Sequence, residues 1–463
     1  MSSKDSLPQS QSPTNLPEGV WWLYCFQSLN AINFTIAMGA PMILLTRFLG
    51  GSELLVGLLT AIPSLMTVLQ LVSTQLVERL GYRRSMMIGW GLRSLMLLFV
   101  VPLPLLMGTL SPAVLLGILV FAQLGFNIIR GVTSGAWFPW LTQLIPDELR
   151  GRFIGMEQRI INGSAFATLL LSGVVLNSED PAAWRYSALL IFATIVGIGS
   201  SYFLGRSPDR PVPKSEEKNR TGLLSILPVA RRCWGDSNFR HTVRYLVLVN
   251  FLVLPPQGFL ILYIKENLGY TTGSALKFQA MVTLGVLLTS VVWGREVDRW
   301  GCKPVLKLML WGMMGYYLFW CLGAAGLYVP GWEWILAMNM IWGVLASGHV
   351  VAAVKLMLGC CPRKNLTAEM AVIQVSLAFC TGLAPLMLGA FLNLVRPWEL
   401  AQMAGMTPRS LAFALIFGTS ALMAYFCLQM VYKVQEEKAR SSRKLLAYLI
   451  LDWPLRVFQQ TRR

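Results

Sequence analysis

The chain has 463 residues, of which 55% are hydrophobic and 13% are charged, and its mean hydropathy is +0.57. This composition excludes an ordinary soluble protein, and several apolar runs exceed the ~20 residues that a helix needs to cross a bilayer. The net charge of +17 would also suit a nucleic-acid-binding protein, so the placement of the basic residues must decide between the two classes.

Twelve apolar segments are predicted to form membrane-spanning helices. In chain order they cover residues 20–46, 53–77, 85–107, 111–138, 153–176, 184–204, 241–264, 274–294, 304–326, 332–358, 367–394 and 409–432. Residues 1–19 are rich in Ser, Pro and Gln and show no cationic stretch leading into a short apolar run, so we expect a disordered tail and no cleavable signal. The sequence therefore predicts an all-α integral membrane protein with twelve transmembrane helices.

Basic residues are concentrated on one side of this arrangement. With a cytoplasmic N-terminus, the cytoplasmic loops and tails hold 27 of the 39 Lys and Arg, six lie near the opposite loops, and six lie within spans. This distribution follows the positive-inside rule, so the charge indicates membrane topology rather than nucleic-acid binding. We expect a multi-pass protein of a cell membrane, the inner membrane of a bacterium, with both termini in the cytoplasm and the lipid bilayer as its surroundings.

The longest polar segment between spans, residues 206–240, divides the chain into two groups of six spans. Leu49 and Gly50 match Leu268 and Gly269 at an offset of 219 residues, and Gly173 matches Gly389 at an offset of 216. The predicted parts are a cytoplasmic N-tail (1–19), an N-terminal half (20–205), a cytoplasmic linker (206–240), a C-terminal half (241–433) and a basic cytoplasmic C-tail (434–463). Such parallel repeats imply a pseudo-twofold axis along the membrane normal.

Two short charged turns, each between the second and third spans of a half, form the clearest motif. The residues are Gly294, Asp298, Arg299 and Gly301 in the second half, and Glu78, Arg79 and Gly81 in the first. Glycine suits a tight turn where backbones approach, and the acidic residue can accept hydrogen bonds from a neighbouring helix. Membrane topology alone would explain the basic residues of these turns but not Asp298 and Glu78.

These turns resemble the loop between spans 2 and 3 of the major facilitator superfamily, and "IPDELRGRFIG" from Ile145 resembles that family's loop between spans 4 and 5. The resemblance implies twelve helices in two pseudo-symmetric six-helix halves. It also implies that the charged turns act as latches between the halves, and that spans 1, 4, 7 and 10 line a central cavity.

Polar side chains within spans mark candidate substrate-binding positions, because they are costly in lipid and should face protein or water. In span 4 such residues recur at helical spacing along one face. The candidates are Gln123, Asn127, Arg130 and Trp137 in span 4, Asn339, Trp342 and His349 in span 10, Asn30 in span 1, and Asn250 and Gln257 in span 7. Gln257 follows Pro255 and Pro256, which should break span 7.

Each candidate also has a structural alternative. Arg130 could bond carbonyl groups of a neighbouring helix, His349 could be a buried imidazole with satisfied nitrogens, and single Asn or Gln residues often join helices. Arg93 and Lys355 are expected to snorkel to the interface. The acidic residues, Glu157 among them, are all expected near span ends or in loops, so a proton-carrying carboxylate should be absent. A coupled proton would then fall to His349, or coupling would use the charge of the substrate.

We expect a secondary active or facilitative transporter that moves a small polar organic solute, neutral or anionic, by alternating access around a site near the midplane. The alternative is a transporter-like protein without transport activity that acts as an assembly factor or sensor. The sequence shows no nucleotide-binding loop, metal-ligand spacing or nucleophile–base pair, so neither enzymatic activity nor a cofactor or metal is expected. The coupling ion, if one is used, is left open.

Overall fold

The computed structural model describes residues 17–178, 180–211, 231–360, 366–395, 407–436 and 445. Most of the predicted N-tail, residues 212–230 of the predicted linker and most of the predicted C-tail lie outside this part of the chain. Over the described ranges the protein forms twelve helical rods and no regular strand. The predicted all-α architecture is confirmed.

The helices of the first half are α1 (Trp21–Met38 and Ala40–Phe48), α2 (Glu53–Met66, Thr67–Val72 and Ser73–Leu80), α3 (Tyr82–Leu95 and Met96–Phe99), α4 (Pro112–Ser134 and Trp137–Leu144), α5 (Asp147–Val175) and α6 (Ala183–Arg206). Those of the second half are α7 (Ser237–Leu248, Val249–Val253, Pro256–Leu262 and Tyr263–Asn267), α8 (Thr272–Trp300), α9 (Cys302–Ala324), α10 (Trp332–Cys360), α11 (Leu366–Val395) and α12 (Pro408–Lys433).

Ten of these helices are long and apolar enough to cross a membrane. The other two are α3, whose regular α-helical part has only 14 residues, and α5, whose first turns are charged. The bundle has two ends, which we call the linker face and the far face. The linker face carries the turns at Gly81 and Gly301 and the ends of α6 and α12, and the far face carries the turns at Gly50 and Gly269. The positive-inside pattern predicts that the linker face is cytoplasmic.

The double proline at 255–256 breaks α7, as predicted. Proline has no N–H to donate, so carbonyl groups one turn earlier lose their helical partners. Two side chains from other helices replace them: Ser420 of α12 donates to the Leu252 oxygen at 2.9 Å, and the Tyr317 hydroxyl of α9 donates to the Val253 oxygen. The break is therefore stabilised by neighbouring helices of the same half.

Glycine is required at both charged turns by backbone conformation. Gly81 has φ of +81° and Gly301 has φ of +94°, in the left-handed region that other residues adopt only with strain. A Cβ atom added at Gly81 would have no neighbouring heavy atom within 4 Å. The prediction that glycine serves close backbone approach is therefore wrong at Gly81, where the left-handed φ is the physical reason, and it stays a prediction at Gly301.

Four glycines let the two halves pack closely near the far face. A Cβ atom added to Gly57 of α2 would lie 2.4 Å from the Pro385 oxygen of α11, next to Gly389, and one added to Gly273 of α8 would lie 2.3 Å from the Gly173 oxygen of α5. Gly57 matches Gly273, and Gly173 matches Gly389, at the same offset of 216 residues. The α2–α11 and α5–α8 crossings are thus equivalent under the pseudo-twofold axis, and both bring backbone against backbone.

We expect Gly57→Ala to open the far face, because the new methyl group would overlap the Pro385 oxygen and force α2 away from α11. Spin labels at the exposed Leu105 and Leu327, in far-face loops of the two halves, would report this as a longer distance by double electron–electron resonance. Gly294→Ala is the matched control, since a Cβ atom there meets nothing within 4 Å. The same distance in both variants would contradict the proposed closure.

Candidate functional site

The predicted polar stripe of α4 packs against α1, close to the break at Gly39. Gln123 Nε2 donates to the Ala37 oxygen at 3.0 Å, and Asn127 Nδ2 donates to the Gln123 carbonyl at 2.9 Å. Both side chains are buried. These two predicted site residues therefore join α4 to α1 and position the residues that follow them on the stripe.

Arg130, one turn further along α4, remains partly exposed. Its Nη2 donates to the Pro63 oxygen of α2 at 2.6 Å, its Nε donates to Asn127 Oδ1 at 3.3 Å, and its guanidinium lies 5.7 Å from the ring centre of the exposed Phe34. A guanidinium has five N–H donors, so these two bonds leave donors for a ligand. Arg130 thus bonds a carbonyl group of a neighbouring helix, as the structural alternative predicted. It also keeps N–H donors with which it could bind a ligand.

Trp137, the last predicted residue of the stripe, belongs to a separate helical segment. The helix is interrupted at residues 135–136, and the continuous face ends at Ser134. The Trp137 ring packs 5.8 Å from that of Phe26 and 6.2 Å from that of Trp140, measured between ring centres. It therefore lies in an aromatic cluster toward the linker face.

A second arginine, Arg93 of α3, lies buried beside α1 and α4. It donates to Asn30 Oδ1, which also accepts from Trp90 Nε1 at 3.0 Å. The Arg93 guanidinium lies 4.7 Å from the Trp90 ring centre and 5.0 Å from that of Phe126. Only 2% of Arg93 is exposed, so the prediction that it snorkels is wrong. Asn30 and the two aromatic rings hold its cation inside the first half.

Arg93 and Arg130 form an electropositive region without a carboxylate of their own. Among the residues that the structure describes, neither guanidinium has a carboxylate within 4 Å, and Arg130 is near enough to repel Arg93 electrostatically. Buried charges are usually paired, because removing an ion from water costs several kcal/mol. This pair of cations therefore favours an anionic group nearby.

The predicted residues of the second half fall into two groups. The Tyr316 hydroxyl donates to Gln257 Oε1 at 2.5 Å, and the Tyr316 ring lies 4.8 Å from that of Trp342, so Gln257 and Trp342 meet through α9. Asn250 and Asn339 instead donate to carbonyl groups four residues earlier in their own helices, at 2.8 and 2.9 Å. Asn250 is partly exposed and Asn339 is buried.

His349 lies inside the second half, with its ring centre 6.1 Å from that of Tyr245 of α7. Only 2% of His349 is exposed, and neither ring nitrogen has a hydrogen-bond partner among the described residues. The predicted alternative of a satisfied imidazole is therefore not formed with protein groups. In this conformation His349 also has no surface through which to exchange a proton with water.

Several residues of these clusters were missed by sequence reasoning, among them Phe34, Trp90 and Tyr316. Each is an aromatic residue in an apolar span, and aromatic residues are common in membrane-protein cores and interface belts. No spacing in the sequence separates them from the other aromatic residues, so only the tertiary contacts identify them.

Both charged turns lie at the linker face and are bonded within their own halves. Asp298 Oδ1 accepts from Lys355 Nζ at 2.7 Å, and Glu436, which follows α12, accepts from the first backbone N–H groups of α9. In the first half, Arg83 at the start of α3 lies 3.3 Å from Asp209, which follows α6. In each half, an acidic residue after the sixth helix therefore contacts the start of the third.

The latch role of the turns stays a prediction. Glu78, Arg79 and Arg299 are exposed, and Gly294 has open space where its Cβ atom would be. The Asp298–Lys355 pair is largely exposed, and such pairs contribute about 0–1 kcal/mol.

An ion-pair quartet, formed by Arg47, Glu53, Glu266 and Arg409, joins the two halves at the far face. Arg47 of α1 donates to both carboxylate oxygens of Glu266 of α7, at 2.7 and 3.0 Å, and Arg409 of α12 donates to Glu53 of α2 at 3.0 Å. Within the halves, Arg47 lies 3.4 Å from Glu53, and Arg409 pairs with Glu266. Each half thus contributes one arginine and one glutamate.

Because each half contributes one arginine and one glutamate, neither half is left with a net charge at this site when the halves separate. The pairs Arg47–Glu266 and Arg409–Glu53 cross between the halves, while Arg47–Glu53 and Glu266–Arg409 remain inside them. Glu53 is only 1% exposed here, so losing arginine partners would be costly for its buried charge. The pairs within each half avoid that cost when the far face opens.

We expect Arg47→Gln and Glu266→Gln to destabilise the protein non-additively, because both break the same bidentate pair. The coupling free energy should be about 0.5–3 kcal/mol, from melting followed by tryptophan fluorescence in the two single variants and the double variant. Asp298→Asn, which breaks an exposed pair, is the control and should change stability by less than about 1 kcal/mol. Additive effects of the two far-face variants would show that the pair carries no energy.

Known proteins share this architecture. The family model described as Major Facilitator Superfamily matches residues 23–310. The galactose-proton symporter of Escherichia coli (strain K12) is 26% identical over 258 residues, which are 50% of this chain and 53% of that protein, so the chain matches about half the length of its curated relatives.

Solved structures agree in fold at low sequence identity. A nucleoside transporter superposes with a TM-score of 0.69 at 10% identity, covering 89% of this chain and 100% of that one. A D-xylose-proton symporter gives a TM-score of 0.64 at 15% identity, covering 92% and 99%. The family model matches more than half of this chain, so the chain belongs to the Major Facilitator Superfamily.

Proposed function

We propose that the protein is a secondary transporter that moves a small polar organic solute across the membrane by alternating access. The observation that carries this proposal is how the halves meet at the far face. At the glycine crossings backbone meets backbone, and the quartet leaves each half with a neutral pair. A static scaffold or sensor has no need of contacts that can be exchanged in this way.

The solute is an anion rather than a cation on this proposal. Arg93 and Arg130 bring two positive charges into the first half without a carboxylate contact among the described residues, and Arg130 retains exposed donors beside Phe34. A carboxylate or phosphate accepts from a guanidinium with good geometry, and an apolar part of the solute could pack on the Phe34 ring. A cationic solute would be repelled.

The similar proteins support the solute class only in general terms. The curated relative is named for galactose, and the solved structures are named for D-xylose and nucleosides, all polar organic molecules. The arginines add the preference for negative charge.

A thermal-shift screen of the purified protein tests the solute class. Solutes should be used as matched sets with one carbon skeleton, such as galactose, galacturonate and galactosamine, extended to other small organic acids and their neutral analogues. We expect stabilisation by an anion and not by its neutral or cationic partner, about 2.7 kcal/mol at a hundred times the dissociation constant. Stabilisation by cations instead would contradict the anion preference.

Uptake of the stabilising solute into proteoliposomes then tests transport itself. A solute that binds but is not taken up would favour the alternative of a sensor or assembly factor.

Arg130 variants test the site once a solute is known. Arg130→Lys keeps the charge but loses the planar fork, so binding should weaken, and Arg130→Ala should weaken binding by about 5- to 150-fold, which corresponds to about 1–3 kcal/mol. Calorimetric titration measures both. Arg185→Ala is the control, because Arg185 also donates to a backbone carbonyl, that of Val175, but lies at the far-face loop.

The melting temperature without solute separates the two roles of Arg130. Removing its bond to the Pro63 carbonyl should lower that temperature. Wild-type affinity in a folded Arg130→Ala protein would remove Arg130 from the site.

A further inference from the structure

A buried carboxylate lies in α5, where the sequence was expected to provide none. Glu157 is the eleventh residue of the 29-residue helix Asp147–Val175, and it is 5% exposed. Glu157 keeps its predicted place near the start of the span 153–176, but the inference that no buried carboxylate is present is wrong. Its neighbours Gln158 and Arg159 are exposed, because successive helical residues point in different directions and only Glu157 turns toward α1.

Glu157 ends a row of hydrogen bonds that crosses three helices. Gln27 Nε2 of α1 donates to Glu157 Oε1, and Asn30 Nδ2 donates to Gln27 Oε1 at 3.1 Å. Asn30 Oδ1 in turn accepts from Arg93 and Trp90 of α3. We call Gln27 and Asn30 the amide row. Every bond in it points the same way, from the Arg93 cation toward the Glu157 carboxylate.

This direction makes the row sensitive to the charge of Glu157. A side-chain amide accepts at its oxygen and donates at its nitrogen, so each bond polarises the next. The row begins at a cation and ends at an acceptor, which is most favourable when that acceptor is an anion. Glu157 thereby balances Arg93 at a distance, although the two side chains share no direct contact.

The second half shows that the fold does not require this row. At the offsets of 219, 220 and 216 residues that relate the corresponding helices, the equivalents of the row residues are all apolar. They are Leu246 for Gln27, Val249 for Asn30, Met313 for Arg93 and Ile373 for Glu157. All four are buried. Apolar packing commonly replaces a buried ion pair without loss of stability, so the charged version in the first half indicates a role other than folding.

We propose that Glu157 is a proton-binding site and that the amide row couples its charge to Arg93. A proton delivered by water adds to a carboxylate oxygen and gives a neutral acid, with no other bond made or broken. The row then ends on a neutral group, and the two guanidinium charges in the interior of the first half have no carboxylate partner among the residues that the structure describes. Arg93 becomes the better partner for an anion.

The surroundings of Glu157 allow its charge to change. The other titratable and charged residues on its own helix and on the helices packed against it are Tyr24, Cys25 and Arg47 on α1, Asp147, Glu148, Arg150, Arg152 and Arg159 on α5, and Lys277, Arg295, Glu296, Asp298 and Arg299 on α8. Arg47 and Lys277 lie toward the far face, and the remaining α8 residues lie at its linker-face end. Tyr24 is close enough to interact electrostatically with Glu157, and its hydroxyl has no hydrogen-bond partner among the described residues. Protonation therefore breaks no ion pair among the described residues.

Infrared difference spectroscopy of the purified full-length protein tests the proton site without any solute. Between alkaline and acidic buffer, the wild type should gain the carbonyl band of a buried protonated carboxyl group. Glu157→Gln should lack this band, whereas Glu333→Gln, which removes an exposed carboxylate, should keep it. Identical difference spectra for the wild type and Glu157→Gln would overturn the proposal.

Tryptophan fluorescence tests the coupling, because Trp90 donates to the amide row. The Trp90 signal is the pH-dependent part of the emission that Trp90→Phe removes. This signal should titrate over the same pH range as the infrared band, and it should be absent from Glu157→Gln. Gln27→Met fills the same space without donor or acceptor, so it should keep the infrared band and lose the Trp90 signal. A Trp90 signal that persists in Gln27→Met would overturn the coupling. Gln27→Leu, which likewise has neither donor nor acceptor, replaces it if Gln27→Met does not fold.

The link to transport rests on the proposed function. With an anionic solute, binding should strengthen as the pH falls, by about tenfold, and this dependence should disappear in Glu157→Gln. Absence of any transported solute would defeat the proposed function and leave the two spectroscopic results intact. Absence of the infrared band would defeat the proton site whether or not the protein transports.

Discussion

The structure depends on two places where backbone touches backbone. At Gly57 and at Gly273, a carbonyl group of the opposite half occupies the position where a side chain would begin. Contacts this close leave no room for a side chain to adjust, so each half must move as a rigid unit if the contact is to break. They also bring the far-face loops near enough for Arg47 to reach Glu266 across the pseudo-twofold axis. The quartet is therefore a consequence of the glycine crossings and adds to their stability.

Arginine is used in two different ways in this protein. Arg47 and Arg409 lie at the far face, where carboxylates repay the cost of removing their charges from water. Arg93 lies in the interior, where an amide oxygen and two aromatic rings replace a carboxylate. Neutral partners stabilise a cation less than an anion does, so Arg93 remains responsive to any negative charge that comes near. The charge on Arg93 is therefore free to interact with an anion, whereas the charges on Arg47 and Arg409 are already paired with carboxylates.

Much of the fold could be predicted from the sequence, because a membrane span and a helical stripe are local patterns. Apolar length marks the helices, and spacing alone places Gln123, Asn127 and Arg130 on one face of α4. The contacts between distant segments could not be predicted. The four quartet residues lie at or next to the ends of predicted spans, and Arg47 and Glu266 are 219 residues apart. For Glu157, the position along the helix was visible in the sequence, but the face that it presents to α1 depends on how α5 packs.

The helix that carries Glu157 also carries Gly173, so the proton site and the α5–α8 crossing are mechanically linked. The two residues are 16 positions apart, which is about 24 Å along an α-helix. In this conformation α5 meets α8 at its Gly173 end, and Glu157 lies toward the linker face. If the halves rock as the proposed function requires, the linker-face ends of α5 and α8 approach when the far face opens. Access of a proton to Glu157 would then alternate with the same movement that exposes the solute site, so no separate gate for the proton is needed.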